Sequence, residues 1–384
     1  MSTNIVPLSP TARFLATQLS SKTFHPNILL PKHLIKPFLT SESEITYVNN
    51  ISSLNSFERK HKFSASSTKY LDYLSKIGND ISSFSSNHTS TSQISIILPS
   101  SQLNPIFKSE LIQFIPPPNS DIILLNPYFG QVEKYIESIS DSLSLINPPR
   151  FWSIISTHQL TNAPNWGVKH QSIGEFKISS ISSFTKNNNS DIDLIKNSNI
   201  IKKIFNTSTL IPQFQSNLQT NLLLVEQLII EAALFPIIHL NKSKSKNILE
   251  DKGDNYNSID LNFSKKSLIK NIINESIIIL KNHQLFNISK NDNLLINAIL
   301  SEDRIYKYIL NLIETNQIRK FNNSNLTNEK IIIRKDPNDE ETDIILPIRN
   351  ESRANSFIFK LGLQYNISSP ANKYVCDEFG NEYI

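Results

Sequence analysis

An α/β unit built on a parallel sheet, followed by a mostly helical unit, is the fold class the sequence predicts. Three observations carry that prediction. In the first half short apolar runs alternate with amphipathic stretches, the order in which strands and crossover helices build a parallel sheet. In the second half the apolar residues recur at helical spacing over long segments. Glycine is scarce, 7 in 384 residues against an ordinary usage of about 7%. That scarcity starves an all-β scaffold of the φ > 0 positions its tight turns need. A chain of 384 residues suits two domains, read here as 1–204 and 205–384.

The elements follow in order. Residues 4–8 form a strand, and 11–21 a helix with Ala12, Leu15, Ala16 and Leu19 on one face. Residues 27–30 are a second strand, and Pro31 has no N–H to continue a ladder. A short helix over 32–39, strands at 45–48, 94–98 and 121–125, and a helix over 131–144 complete the alternation. Strands at 151–156, 166–170 and 175–179 then succeed one another with no helix between, which suits an antiparallel extension at the sheet edge. Residues 182–199, with three consecutive asparagines, read as a surface insertion. Helices are predicted over 217–240, 265–282, 293–316 and 352–365. Polar loops at 241–258 and 321–350 separate them, the latter holding a short strand at 330–334. No internal repeat is visible.

Composition excludes several function classes. Ile, Asn and Ser together make about 40% of the chain, the mark of AT-rich coding rather than of a function. The net charge of +4, concentrated in the first 210 residues, permits contact with RNA or an anionic membrane surface without requiring either. A single cysteine, Cys376, excludes a disulfide framework and a Cys-based zinc cluster. The eight histidines hold no His-x-x-x-His pair, so no metal is expected, and no Gly-x-Ser-x-Gly elbow marks a nucleophile. The most apolar stretch, 222–240, is interrupted by Glu226, Gln227, Glu231 and His239, which argues against a bilayer span. No acidic residue precedes Glu42, while Arg13, Lys22, Lys32 and Lys36 lie among Ser, Thr and apolar residues. That is the composition of a mitochondrial transit signal. The same residues also make the first strand and helix, so such a signal would not be cleaved far inward.

The first strand and helix are where a parallel sheet would bind a dinucleotide, through G-x-G-x-x-G at the helix N-terminus. Here no glycine precedes Gly78, and the three positions hold Pro7, Ser9 and Ala12. Pro10 removes a further N–H from the turn. Lys32 stands where a ribose 2′-phosphate could be met, and equally opens a helix as a solvated lysine. The expectation is a Rossmann-like domain with a degenerate dinucleotide loop and no bound cofactor.

The order of elements resembles the ketopantoate reductase family, whose helical part has the 6-phosphogluconate dehydrogenase C-terminal-like fold. The segment Ile122-Ile123-Leu124-Leu125-Asn126-Pro127 is similar to that family's strand ending in an Asn-Gly turn, with Pro127 at the Gly position. Thr157-His158 and residues 170–174 resemble its edge-strand motif, and residues 226–236 its first long C-terminal helix. The resemblance implies a catalytic Lys and two Asn at intervals of four on that helix, where one face could orient a keto acid and donate a proton. Those positions hold Gln227, Glu231 and Phe235, with Pro236 expected to end the helix before His239. Gln227 has no ammonium proton, Glu231 repels an anionic substrate, and Phe235 offers no donor.

Within this degenerate branch the chain resembles fungal mitochondrial translational activators of cytochrome b mRNA. That resemblance runs through residues 27–39, 121–138, 221–238, 302–314 and 356–365. It implies a non-catalytic protein at the matrix side of the inner membrane, peripherally associated, acting with the mRNA 5′ leader and the mitoribosome. It implies no small-molecule substrate and no cofactor. The alternative is an NADPH-dependent reductase of 2-keto acids. Candidate RNA contacts are Arg59, Lys60, Lys62 and Phe63, a basic-aromatic cluster; Lys242, Lys244 and Lys246; and Lys265, Lys266 and Lys270. For each set a plain solvated surface is the commoner meaning of such a run.

Overall fold

The structure, a computed structural model, describes residues 2–20, 25–51, 56–67, 94–99, 120–132, 135–136, 149–181, 212–245, 263–283, 290–314, 330–333, 342–345 and 353–378. Contacts divide the chain into two units, Met1–Thr220 with Asn323–Ile348, and Asn221–Asn322 with Arg349–Ile384. The division falls at 220/221, compared with the 204/205 read from the sequence.

The first unit runs β1 (Ser2–Ile5), α1 (Pro10–Leu19), β2 (Asn27–Leu30), α2 (Lys32–Thr40), β3 (Glu44–Asn49), β4 (Phe57–Lys62), β5 (Ala65–Ser67), β6 (Ile94–Pro99), β7 (Asp121–Leu125), β8 (Arg150–Ser156), β9 (Gln159–Ala163), β10 (Gly167–Ser172), β11 (Phe176–Ile181) and β12 (Pro212–Phe214). A late hairpin, β13 (Lys330–Ile333) and β14 (Thr342–Ile345), lies against β9. The main sheet has the order β12-β11-β8-β7-β6-β1-β2-β5. From β5 to β8 every pairing is parallel, and β11 joins β8 antiparallel. The apolar runs of β2, β6 and β7 are buried on both faces, as a covered parallel sheet requires. Chain order reverses between β1 and β6, which puts the topological switch point at their C-terminal ends, beside the start of α1.

Of the predicted antiparallel extension, β8 in fact joins β7 in parallel and β11 runs antiparallel to β8, while two predicted strands leave the main sheet. β3, expected as its third strand, pairs instead with β10 and β4 in a second sheet of order β4-β3-β10-β9. The short β5 takes the vacated place beside β2. α1 packs against both sheets. A helix covered on two sides is buried all round, and Arg13, on the face away from the main sheet, has no exposure. Its guanidinium donates from Nη1 to the Gly167 carbonyl at 2.8 Å and from Nη2 to Asn162 Oδ1. The cation counted as part of a transit signal is therefore a bolt between α1 and the β9–β10 hairpin. Of the helix predicted over 131–144, residues 131–132 and 135–136 are helical and the remainder lies outside the described residues, as does the whole 182–199 insertion.

The second unit is helical: α3 (Asn217–Ser245, its first residues in the first unit), α4 (Phe263–Lys281), α5 (Lys290–Ile299), α6 (Glu302–Glu314), α7 (Arg353–Gln364) and α8 (Pro370–Glu378). Pro236 does not end α3; the helix continues to Ser245. Proline cannot donate to the carbonyl four residues back. The freed Ala232 carbonyl accepts instead from Asn355 Nδ2 at 3.1 Å, so α7 repairs the gap. The helix predicted over 293–316 is two helices, α5 and α6, parted at Leu300 and Ser301. Arg304 hydrogen-bonds the Ile299 carbonyl and caps the end of α5, while Ser301 O accepts from Ile305 N to open α6. Among the described residues one stretch, Asn217–Ile238, is long and apolar enough to cross a bilayer, yet 72% of its most apolar window is buried in the fold.

Candidate functional site

At the switch point the chain leaves β1 through Val6 and Leu8, both with no exposure, and enters α1 at Pro10. Ser9 is the N-cap: its Oγ accepts from Ala12 N at 3.1 Å, and its carbonyl accepts from Arg13 N. An anion site at a helix start is made of unspent amide N–H groups. Pro10 contributes none, and that of Ala12 is taken by Ser9. Pro7 is buried, so the backbone at the first former glycine position does not lie open to a ligand. Replacing Ser9 by alanine is expected to lower stability by about 1 kcal/mol, the usual worth of such a cap, measured by denaturant unfolding.

Asn126, just past β7, closes the neighbouring strand ends. It adopts φ 48°, in the left-handed region that asparagine tolerates better than most residues. Its Oδ1 accepts from Ser156 N at 2.7 Å, and its Nδ2 donates to Thr11 Oγ1 at 3.1 Å. One amide thus ties β7, β8 and α1 together at the crevice.

On α3 the predicted stripe lies as the spacing requires. Gln227 Nε2 donates to Glu231 Oε1 at 3.0 Å, and Glu231 is buried while Phe235 is half-buried. A neighbouring ion pair, Arg304 to Glu226 at 2.9 Å, joins α6 to α3. The stripe therefore carries a buried carboxylate held by an amide, with no ammonium on it. The chemistry of this helix face is the reverse of what an anionic keto acid needs.

A third constellation was not legible as a group. His158, His170 and Tyr47 come from the β8–β9 connection, β10 and β3. Tyr47 Oη lies 3.0 Å from His170 Nδ1, and His170 Nε2 lies 3.1 Å from His158 Nδ1 and 2.9 Å from the Ser172 carbonyl. The Gly174 amide donates to His158 Nδ1 at 3.1 Å. With both imidazoles neutral, one set of protons satisfies these contacts. His158 carries its proton on Nε2, His170 donates from Nε2, and Tyr47 donates to His170 Nδ1. Phe14 of α1 packs on both imidazoles, with ring centroids 5.1 and 4.7 Å away. Burial, with His170 second, pulls the His158 pKa down to about 4. Burial lowers His170 as well, opposed by its bond to the Ser172 carbonyl. Gly174 has no room for a side chain, since a Cβ would meet the Thr157 and His158 backbone at 2.4 Å.

The basic-aromatic cluster forms β4, the outer strand of the second sheet. Residues paired across a ladder share a face. The pairs Asn49–Phe57, Tyr47–Arg59 and Ile45–His61 put Phe57, Arg59 and His61 on the face that meets α1 further in, and Glu58, Lys60 and Lys62 on the opposite one. Phe63 is 6% exposed and packed in the core, so it has no ring face to offer a ligand; its expected place passes to Phe57, 41% exposed. Phe57 escaped notice because Glu58 separates it from the basic run. Of the other lysines, Lys265 is buried and Lys270 sits over the Tyr306 ring at 4.9 Å. Lys242 and Lys244 fall within α3, and Lys246 lies outside the described residues. Lys32 is exposed at the start of α2. Cys376 is buried, its thiol pushed up to about 11 by burial and Asp377. Among the described residues no three His, Cys, Asp or Glu side chains gather as a metal site.

No family model matches the chain, and no curated protein matches it by sequence. Solved structures do match by shape. A probable 2-dehydropantoate 2-reductase of Bacillus subtilis superposes with a TM-score of 0.53 at 12% identity, covering 99% of each chain. A putative 2-dehydropantoate 2-reductase of Enterococcus faecalis gives 0.55 at 13% identity, covering 99% of this chain and 97% of that one. A D-mandelate dehydrogenase solved with NADH and anilino(oxo)acetate gives 0.57 at 10% identity, with the same two coverages of 99% and 97%. At such identities the likeness establishes the fold: a Rossmann-like domain followed by a helical part, the two fold types found in ketopantoate reductases.

Proposed function

We propose that this chain is a non-catalytic protein of the ketopantoate reductase fold that promotes translation of cytochrome b mRNA in mitochondria. In this reading it works at the matrix side of the inner membrane, with the mRNA 5′ leader and the mitoribosome as partners. The supporting observation is the switch point itself. The helix start that would hold a pyrophosphate has one amide removed by Pro10 and another taken by Ser9. The Gln227–Glu231 pair supports the same reading, for it carries no proton donor of the ammonium kind. Deleting the gene and labelling mitochondrial translation products tests it. Loss of cytochrome b synthesis with other products retained is the expected result, and normal synthesis would sink the idea.

The second reading is an NADPH-dependent reductase of 2-keto acids. What favours it is the likeness of the whole fold to proteins described as 2-dehydropantoate 2-reductases. Titrating the purified chain with NADPH, followed by nucleotide fluorescence, separates the two. No saturable signal at micromolar nucleotide is expected. Saturation together with turnover of a 2-keto acid would restore the enzyme.

A further inference from the structure

We propose that β4 is a binding site for single-stranded RNA, with the base stacked at Phe57 and Arg59 and the phosphates met by Arg59, Lys60 and Lys62. This rests on the reading that the protein acts on an mRNA leader, and it assigns the surface that does so. Among the described residues β4 pairs on one side only, with β3, so its outer backbone edge is not taken up within that sheet. Every side chain from Phe57 to Lys62 is exposed except His61, which is half-buried. A strand open on both faces and along one edge has not been built to serve the core.

The side chains it shows are ordered and of one chemistry. Arg59 lies over the Phe57 ring, 4.9 Å from its centroid, a cation–π contact that holds the guanidinium at the strand surface. Tyr47 meets Phe57 edge-on at 5.9 Å and fixes the ring from below. On the other face Lys60 is shared with Glu44 at 3.5 Å, while among the described residues neither Arg59 nor Lys62 enters an ion pair. Three cations against Glu58 on the strand and Glu44 beside it leave a net positive surface that fits a polyanion. The ring and the guanidinium plane beside them are the two surfaces on which unpaired bases stack. An acidic peptide would use the cations and the open edge but has nothing flat to lay on Phe57. A duplex would keep its bases stacked on each other.

Fluorescence anisotropy with a labelled 20-nucleotide poly-U strand and the full-length chain tests this. Saturable binding is expected, falling steeply with salt, and the logarithmic salt slope should shrink by about 0.7 in Lys62→Ala, one phosphate contact on a single strand. Phe57→Ala should weaken binding about 5- to 150-fold, the range of one lost base stack. Arg59→Glu should weaken it more than Phe57→Ala, whereas Lys177→Ala on β11 should leave it unchanged. Phe57, Arg59 and Lys62 are exposed and Lys177 is half-buried, and an unaltered thermal transition shows that each variant is folded. Equal binding by the wild type, Phe57→Ala and Arg59→Glu overturns the proposal, as does displacement of the strand by poly-glutamate at matched charge. So does the absence of any binding. In all three cases the labelling of cytochrome b decides the translational reading separately, so the two failures are distinguishable.

Discussion

Asn355→Ala should destabilise the helical unit by about 2–3 kcal/mol, the cost of leaving buried polar groups unpaired. Asn355 and Asn372 have no exposure, and the Asn355 amide donates to both the Ala232 carbonyl and Asn372 Oδ1, the latter at 3.0 Å. Truncation strands both acceptors. Asn372 in turn donates from Nδ2 to Glu275 at 2.9 Å, and Glu275 also accepts the Ala371 and Asn372 amides at the start of α8. A carboxylate there complements the positive end of the helix. A double-mutant cycle makes the argument specific. Ala232 needs Asn355 because Pro236 has no N–H to give it. In a Pro236→Ala background the helix can supply that N–H, so Asn355→Ala should cost about 1 kcal/mol less there. Urea unfolding of the four proteins measures the coupling. Purely additive effects would show that Asn355 acts for some reason other than the proline gap.

The largest pH effect is expected at His158. Its Nδ1 accepts the Gly174 amide and faces His170 Nε2–H, so a proton added there meets two donors. The rings around it are His170, Phe14 and Phe176, with no carboxylate among these contacts to welcome a charge. The folded protein therefore declines a proton that the unfolded chain accepts at its ordinary value near 6.5. Stability is fully present above that value and falls as the pH drops from 6.5 toward about 4. The loss across that window is of the order of 2–3 kcal/mol. His158→Asn keeps an acceptor for Gly174 and cannot titrate. Its stability should decline less between pH 7 and pH 4.5 than that of the wild type in guanidinium unfolding. Parallel declines would remove His158 as the cause.

The alternation of strands and helices was legible because burial on both faces leaves continuous apolar runs such as Ile122 to Leu125. The second sheet was not. β4 reads as a polar run, since an exposed edge strand has no apolar side to betray it. β3 has the right residues for either sheet, and only its pairing with β10, more than a hundred residues on, decides. Arg13 was legible only as one cation of a transit-like composition, because nothing local announces that a hairpin from residues 159–172 will cover it. Of the candidate site, the replaced glycine positions and the Gln227–Glu231 spacing were plain from the sequence, being local. The histidine pair and the Asn355 repair depend on partners brought from distant segments, which no period or motif encodes. The break between α5 and α6 carries neither Gly nor Pro, and Arg304 supplies the cap that makes it stable.

The central place of β1 has a consequence in time. Its Asn4 side chain bonds to the Ser95 carbonyl of β6, 91 residues further along. At about 5–20 residues per second of synthesis, β1 waits ~5–20 s for β6, the neighbour that completes its ladder. During that interval Ile5, Val6 and Leu8 are uncovered hydrophobic surface, the kind a chaperone binds. The order of manufacture thus runs against the order of assembly, and β1 stays without its β6 neighbour until Ser95 has been made.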